Sequence, residues 1–263
     1  MYGAILGDIV GSVWEKKTVP FNVTFFNKKA RFTDDTVLTI ATMDALINDK
    51  PYHEVYKNYY EKYPGRGYGR GFSDWAISKS KVPYNSYGNG SSMRVSPIGW
   101  FFNSESKVIE EAEKSSSATH NHEDSILWSK AVAVSVFIAR EEHSKEKILD
   151  ACVGLGCQES YCGLEEYHQE GFASAKGTVP KAINCFLRTR NFEECLRTSL
   201  LCGGDVDTIA SISCAIAEAY YSCIPESLKS YCISKIHEED FYSVFKAFQV
   251  RAKDKHEGIF DFF

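Results

Sequence analysis

"CGGDVDTIASISCAIAEAYY", residues 202–221, is the stretch that decides how this chain folds. An acid-rich entrance leads into a run with helical periodicity, in which Ala and Ser recur between isoleucines. Small side chains allow a helix to approach its neighbours closely. The pattern predicts a helix over 206–222 that packs in the middle of the fold, with Asp205 and Asp207 at its entrance. Carboxylates in that position would not be freely solvated.

The same arrangement of two aspartates and a threonine occurs in "RFTDDTVLTIATMDAL", residues 31–46. Capping alone explains one such motif, because Thr or Asp at a helix N-cap accepts a backbone N–H and acids suit the positive end of the helix dipole. If the two motifs meet, however, their four carboxylates cannot all stay ionised without a compensating cation. Two divalent cations would balance the charge, and oxygen ligands suit Mg²⁺, Mn²⁺ or Ca²⁺ better than zinc. Both interpretations stay open, since the residues alone do not show that the motifs converge.

Two glycine-rich segments, 64–72 and 87–101, interrupt the helical pattern. The second contains "GNGSSMR", whose glycines, backbone N–H groups and serine hydroxyls could cradle an anion. It is no Walker A loop, and "GRGYGRG" in the first lacks the dinucleotide-binding spacing. Taken singly, each segment is better explained as a turn that needs positive φ.

Composition excludes several classes of protein. The chain has 263 residues, of which 44% are hydrophobic and 25% charged, and a net charge of −5. Nothing marks it for binding a nucleic-acid backbone or an anionic membrane. Its N-terminus does not read as a signal peptide, and its longest apolar run, 131–139, falls short of the roughly 20 residues of a membrane span. We expect a cytoplasmic protein with one domain over 1–263.

The cysteines and the helical periodicity support the same view. The chain contains nine cysteines and no CxxC pair, which favours core thiols in a reducing compartment over disulfides or a zinc site. A short strand is possible at 18–26, although Pro20 weakens it, and Pro180 and Pro225 suit the first turns of helices. The pattern is otherwise all-α. Helices are predicted over 34–48, 53–63, 105–116, 123–141, 145–154, 180–189, 191–201, 206–222, 225–236 and 239–251.

Five motifs, in order along the chain, resemble the ADP-ribosylglycohydrolase family, which includes dinitrogenase-reductase-activating glycohydrolases and ADP-ribosyl-acceptor hydrolases. The resemblance implies a compact, single-domain, all-α orthogonal bundle with a central metal cleft, two Mg²⁺ ions (Mn²⁺ possible) and hydrolysis of the bond between C1″ of ADP-ribose and an acceptor. The motifs are "GAILGDIVGSVWE" (3–15), "FTDDT" (32–36), "GNGSSMRVSPIG" (88–99), "TH" (119–120) and "GGDVDTIAS" (203–211).

The resemblance also implies roles for individual residues. Asp34, Asp35 and Asp207 would act in catalysis, with Glu15 gating the site or contacting metal or substrate. The metal ligands would be Thr33, Asp34, Asp35, Asp205, Asp207 and Thr208. The substrate would contact Gly90, Ser91, Ser92, Met93 and His120. Without the resemblance, His120 reads as a capping or surface residue and Glu15 as an ordinary acid at a helix end.

The acceptor is the least determined part of the reaction. ADP-ribosyl-arginine is favoured, serine or O-acetyl ester linkages are possible, and a nucleic-acid acceptor is not excluded. Four aromatics could stack on a guanidinium, although core packing explains each of them better: Trp14, Tyr68, Trp100 and Phe101. We expect a monomer that acts on ADP-ribosylated proteins or small molecules and has no membrane partner.

Two other functions compete with this hypothesis. One is a catalytically silent ADP-ribose-binding or crystallin-like relative, which the complete set of predicted ligands argues against. The other is a metal-dependent phosphohydrolase, which ranks lower because the chain contains no His-Asp dipeptide of the kind that many helical examples use.

Overall fold

The computed structural model describes residues 1–15, 17–157, 172–237 and 239–254, and in these ranges the regular structure is helical, apart from one isolated bridge between Gly88 and Ser174. The prediction of an all-α fold is confirmed. The helices are α1 (Tyr2–Gly11), α2 (Asp34–Asn48), α3 (Tyr52–Lys62), α4 (Arg70–Ile77), α5 (Ser96–Phe101), α6 (Glu105–Ser117), α7 (Glu123–Glu142), α8 (Lys145–Gly154), α9 (Ala175–Leu187), α10 (Phe192–Leu201), α11 (Val206–Tyr221), α12 (Glu226–Lys235) and α13 (Glu239–Asp254), with a 3-10 turn at Asn89–Ser91.

Helix α11 lies in the middle of the bundle, as its small residues predict. From Val206 to Ala217 every residue is buried. Helix α1 packs directly against it through a stripe of glycines, Gly3, Gly7 and Gly11. A Cβ at Gly7 would lie 2.2 Å from the carbonyl oxygen of Ala210, so only glycine permits this approach. The glycine stripe brings α1 close to the entrance of α11, and the sequence analysis overlooked it.

The entrances of α2 and α11 differ in how they are capped. Thr33 is the N-cap of α2, and its hydroxyl accepts a hydrogen bond from Asp35 N at 3.3 Å. Asp205 occupies the N-cap of α11 without a capping bond from its side chain. Capping therefore accounts for Thr33 but leaves the carboxylates of the second motif free for another role.

Three local predictions were wrong. Residues 18–26 form turns instead of a strand, with Val23 N donating to Pro20 O. Pro180 lies inside α9, because Ser174 caps that helix through Gly177 N and starts it at Ala175. Pro225 is the N-cap of α12 and does not lie in its first turn.

Helices α4 and α5 were not predicted, for opposite reasons. Helix α4 begins at Arg70, within a segment whose glycines suggested a loop. Helix α5 is buried from Ser96 to Phe101. Because it has no polar face, its sequence lacks the helical periodicity of apolar and polar residues on which a prediction depends. Helix α1 was anticipated only through the family resemblance.

The thiol prediction holds for most of the described cysteines. They are buried, except that Cys202 is half-buried and Cys223 is exposed. Cys162 lies outside the described residues. None of the described helices has the length and apolarity needed to cross a membrane.

Candidate active site

The two aspartate motifs meet at one cleft, although they lie far apart in the sequence. The Thr208 hydroxyl, in the first turn of α11, donates to Asp35 Oδ2 at 3.0 Å, in the first turn of α2. Both helices point their N-terminal ends at this place. Most of the predicted site residues line the cleft, namely Glu15, Thr33, Asp34, Asp35, Gly90, Met93, His120, Asp205, Asp207 and Thr208.

Asp8 is a buried carboxylate beneath the cleft that the sequence analysis did not assign to the site. It accepts hydrogen bonds from Thr33 N at 2.9 Å, Thr33 Oγ1 at 2.7 Å and Thr36 N at 3.1 Å, and another from Thr36 Oγ1. The bonds fix the entrance of α2, so that Asp34 and Asp35 face the cleft. An acid within the apolar stretch of α1 was the signal that could have revealed it.

Asn89 connects the glycine loop to the second aspartate motif. Its side-chain Nδ2 donates to Asp205 Oδ2 at 2.8 Å and to Thr178 Oγ1 at 3.0 Å. Its backbone N donates to Ala173 O at 2.9 Å, which ties the loop to the approach to α9. Asn89 therefore orients one of the predicted metal ligands, a role that the sequence did not reveal.

The carboxylates of the cleft repel one another. Burial, with added repulsion from Asp8 and Asp207, raises the pKa of Asp34 and of Asp35 well above the usual range. Burial and the charge of Asp207 also raise the pKa of Asp8 to about 7 and that of Asp205 to about 8. Arg31 and Arg66, which also line the cleft, therefore do not offset the repulsion among the carboxylates, and a bound cation would do so.

The side chains present fit a hard divalent cation. They offer carboxylate and hydroxyl oxygens only, the donors that Mg²⁺ prefers. Among the described residues no three His, Cys, Asp or Glu side chains form a ready-made metal site, so the carboxylates would have to turn toward a shared ion. The candidate ligands remain those that the sequence analysis named: Thr33, Asp34, Asp35, Asp205, Asp207 and Thr208.

The serines of the glycine loop point away from the cleft. The Ser129 hydroxyl in α7 donates to Ser91 Oγ at 2.9 Å and lies 3.4 Å from Ser92 Oγ, and both loop serines are fully buried. Any contact they make with a substrate would therefore come from the main chain. Gly90 and Met93 line the cleft beside His120.

His120 is buried at the cleft wall and is not a helix cap. That role belongs to His122, whose Nδ1 accepts from Asp124 N at 3.2 Å. The Nδ1 atom of His120 lies 2.6 Å from Thr119 Oγ1. Burial, together with the charge of Arg94, lowers the pKa of His120 well below its usual range, so the ring is neutral.

The aromatic residues proposed for guanidinium stacking lie elsewhere. Trp100 and Phe101 are buried in α5, and neither Trp14 nor Tyr68 is among the residues that line the cleft. Three other aromatics line it, namely Phe72, Tyr84 and Phe172, and so do Arg31 and Arg66.

Comparison with known proteins agrees with this geometry. The ADP-ribosylhydrolase ARH3 of Mus musculus is 29% identical over 317 residues, which cover 88% of this chain and 85% of that protein. The Homo sapiens ARH3 is 29% identical over 316 residues, covering 88% and 87%. A solved "ADP-ribosylglycohydrolase-related protein complex" shares the fold, with a TM-score of 0.70 at 22% identity over 95% of each chain.

A family-wide comparison covers nearly the whole chain. The sequence model of the ADP-ribosylglycohydrolase family matches residues 1–253. With the ARH3 relatives, this match shows that the chain is an enzyme that hydrolyses glycosidic bonds of ADP-ribose. The chain therefore belongs to the ADP-ribosylglycohydrolase family.

Proposed function

We propose that this enzyme hydrolyses, in a Mg²⁺-dependent reaction, the bond between C1″ of ADP-ribose and an acceptor. The observation that carries the proposal is the hydrogen bond between Thr208 and Asp35, which joins two acidic helix entrances 173 residues apart at a single cleft. Such an assembly of buried oxygen ligands is costly to fold unless a cation occupies it. It would bind two Mg²⁺ ions, with Mn²⁺ as a substitute.

The residues around the cleft have separate roles. Bound Mg²⁺ would supply positive charge that holds substrate oxygens and makes water a better nucleophile at neutral pH. Asp8 keeps Thr33 oriented, Thr208 holds Asp35, and Asn89 holds Asp205. The main chain and side chains around Gly90 and Met93, with His120, would bind the ADP-ribose.

Asp34 is our choice for the general base. It is half-buried, and so more exposed than the other three aspartates of the two motifs, which are buried. As the oxygen of water bonds to C1″, Asp34 would take a proton from that water. The bond between C1″ and the acceptor breaks through an oxocarbenium-like transition state, and the acceptor leaves with the proton passed on from Asp34, which restores the carboxylate. Asp35 and Asp207 would hold the bound cation, and Glu15 would lie at the mouth of the cleft.

The residues that line the cleft change our ranking of the possible acceptors. Arg31 and Arg66 are among the residues that line it, and their positive charge would repel an arginine leaving group. The four aromatics first considered for stacking on a guanidinium do not line it, but Phe72, Tyr84 and Phe172 do, so the ranking of acceptors rests on the charge of the two arginines. We therefore place hydroxyl-linked acceptors, serine or an O-acetyl ester, ahead of arginine.

The reaction is tested by measuring free ADP-ribose released from ADP-ribosyl-serine peptide, ADP-ribosyl-arginine peptide and O-acetyl-ADP-ribose, with Mg²⁺ and with EDTA. We expect Mg²⁺-dependent release that is lost in Asp34→Asn. Asp49→Asn is the matched control, because Asp49 ends the same helix at φ 49°, where asparagine is well tolerated. Release from the arginine peptide alone would overturn our order of acceptors.

Other outcomes separate the competing functions. ADP-ribose binding without hydrolysis of any of these substrates would indicate a silent binding protein. Release of AMP or phosphate in place of ADP-ribose would indicate a phosphohydrolase. No binding of ADP-ribose would refute our assignment of the cleft.

Metal binding has a test that does not depend on activity. A cation that binds only the folded chain stabilises it by about 2.7 kcal/mol at a concentration 100 times its Kd. We expect Mg²⁺ to raise the melting temperature of the wild type and EDTA to reverse the effect. An equal rise in a variant that combines Asp35→Asn with Asp207→Asn would contradict the assignment of these ligands.

A further inference from the structure

We propose that Arg94 and Thr119 fix the tautomer of His120, so that its Nε2–H group donates a hydrogen bond to an oxygen of the bound substrate. The three side chains form a buried relay that ends at the cleft. The identity of the substrate as ADP-ribose rests on the function proposed above, whereas the tautomer follows from contacts within the protein.

The relay begins at Arg94, which is fully buried. Its guanidinium lies over the ring of Tyr56, 4.0 Å from the centroid, and its Nη2 donates to Ser115 O at 2.9 Å and to Thr119 Oγ1 at 2.8 Å. A guanidinium has only donors. Thr119 Oγ1 must therefore be the acceptor in its bond with Arg94.

The bond from Arg94 in turn determines the role of Thr119 toward the histidine. The Thr119 hydroxyl carries one proton, and its other partner among the described residues is His120 Nδ1, at 2.6 Å. If the oxygen accepted from both partners, its proton would be buried without an acceptor among the described residues, which is costly. The hydroxyl therefore donates to Nδ1, which accepts. Because the neutral imidazole carries a single N–H, its proton lies on Nε2.

The other side of the ring faces the glycine loop. A Cβ at Gly90 would lie 3.1 Å from His120 Nε2, and one at Gly88 would lie 3.6 Å from it. The glycines leave room for a ligand atom there, and within the described residues no protein acceptor bonds to Nε2. His120 lines the cleft, and Tyr84 packs edge-on against its ring at 5.5 Å.

The chemistry of the ligand atom follows from this arrangement. A fixed Nε2–H recognises an acceptor, so the matching group is a phosphate, hydroxyl or carbonyl oxygen, and in ADP-ribose a diphosphate or ribose oxygen. The same tautomer prevents the cleft-facing nitrogen from taking a proton. His120 is therefore a binding residue and not the general base, and Arg94 and Thr119 are positioning residues.

The tautomer can be read directly in the free protein by ¹⁵N NMR of the histidine side chains at pH 7. We expect the wild type to show a neutral His120 with its proton on Nε2. Thr119→Val keeps the shape of the side chain but removes the donor to Nδ1, and Thr119→Ser restores it. We expect Thr119→Val to show a mixed or reversed tautomer and Thr119→Ser to show the wild-type signal.

The same pair of variants tests the link to binding. Loss of one hydrogen bond should weaken ADP-ribose binding by roughly 3- to 10-fold in Thr119→Val. Thr119→Ser should bind as the wild type does. Circular dichroism and thermal melting show whether each variant is folded. A purely structural role for Thr119 would weaken binding only by unfolding the protein, whereas a folded variant that binds more weakly has lost the orientation of His120.

Two results would overturn the inference. One is a wild-type His120 that is ionised or carries its proton on Nδ1. The other is a folded Thr119→Val protein with the wild-type tautomer and unchanged ADP-ribose binding. If the wild type shows the expected tautomer but does not bind ADP-ribose, the proposed function fails and the tautomer assignment stands.

Discussion

The contact between α1 and α11 makes the most quantitative prediction, which concerns Gly7→Ala. A Cβ at position 7 would lie 2.2 Å from Ala210 O and 2.6 Å from Ser211 N, where ordinary van der Waals contact begins near 3.4 Å. The obstructing atoms belong to the backbone of a buried helix and cannot rotate away. Helix α1 must therefore move away from α11 by about 1 Å, a gap large enough to lose a substantial part of the dispersion energy of the facing atoms.

The expected cost combines two opposite terms. Overpacking in a close-packed interior costs typically about 1–3 kcal/mol, and backbone obstruction puts this site at or beyond the upper end. Alanine regains about 1 kcal/mol relative to glycine in a helix. We expect the free energy of unfolding to fall by about 2 kcal/mol, which for a chain of this size lowers the melting temperature by about 4–8 °C.

Thermal and urea denaturation, followed by circular dichroism, measure the change. Gly154→Ala is the matched control, because Gly154 also lies in a helix and a Cβ there would meet nothing within 4 Å. We expect that variant to be unchanged or more stable by up to about 1 kcal/mol. A Gly7→Ala protein as stable as Gly154→Ala would refute the argument that the glycine stripe sets the distance between α1 and α11.

Further predictions concern the site, a helix end and the thiols. Asn89→Ala removes the hydrogen bond to Asp205. We expect kcat/KM for ADP-ribose release to fall about 10- to 100-fold while the circular dichroism spectrum stays unchanged. Wild-type kinetics in this variant would contradict the role of Asn89. Lys57 Nζ donates to Trp75 O at 2.8 Å and to Ser78 O at 2.6 Å, so Lys57→Met should lower the free energy of unfolding by about 1 kcal/mol in urea titration, and no loss would indicate that water replaces it. Among the described cysteines, iodoacetamide should label Cys223 first, as read by mass spectrometry, and equal labelling of the buried thiols would contradict the packing of the helices.

Local patterns in the sequence were sufficient to predict most of the helices and the composition of the site. Helix α2 was placed at 34–48 with its entrance at Thr33, because capping residues and apolar periodicity are both local signals. The family resemblance supplied the order of the motifs, and most of the residues it named line one cleft. Where local signals conflicted, as at Pro180, the prediction failed, because the Ser174 cap six residues before the expected start outweighed the proline.

Only the tertiary structure decided how these residues act together. The bond between Thr208 and Asp35 joins segments 173 residues apart, and no local pattern encodes such a distance. Asp8 stands out as an acid within an apolar stretch, but only packing shows that it supports the entrance of α2. Likewise, only packing shows that Ser91 turns toward α7 and that the proton of His120 lies on Nε2. Each depends on which atoms of other helices surround a side chain, and this is fixed only when the whole core packs. The sequence by itself determined which chemical groups the site contains, while packing determined where each group points.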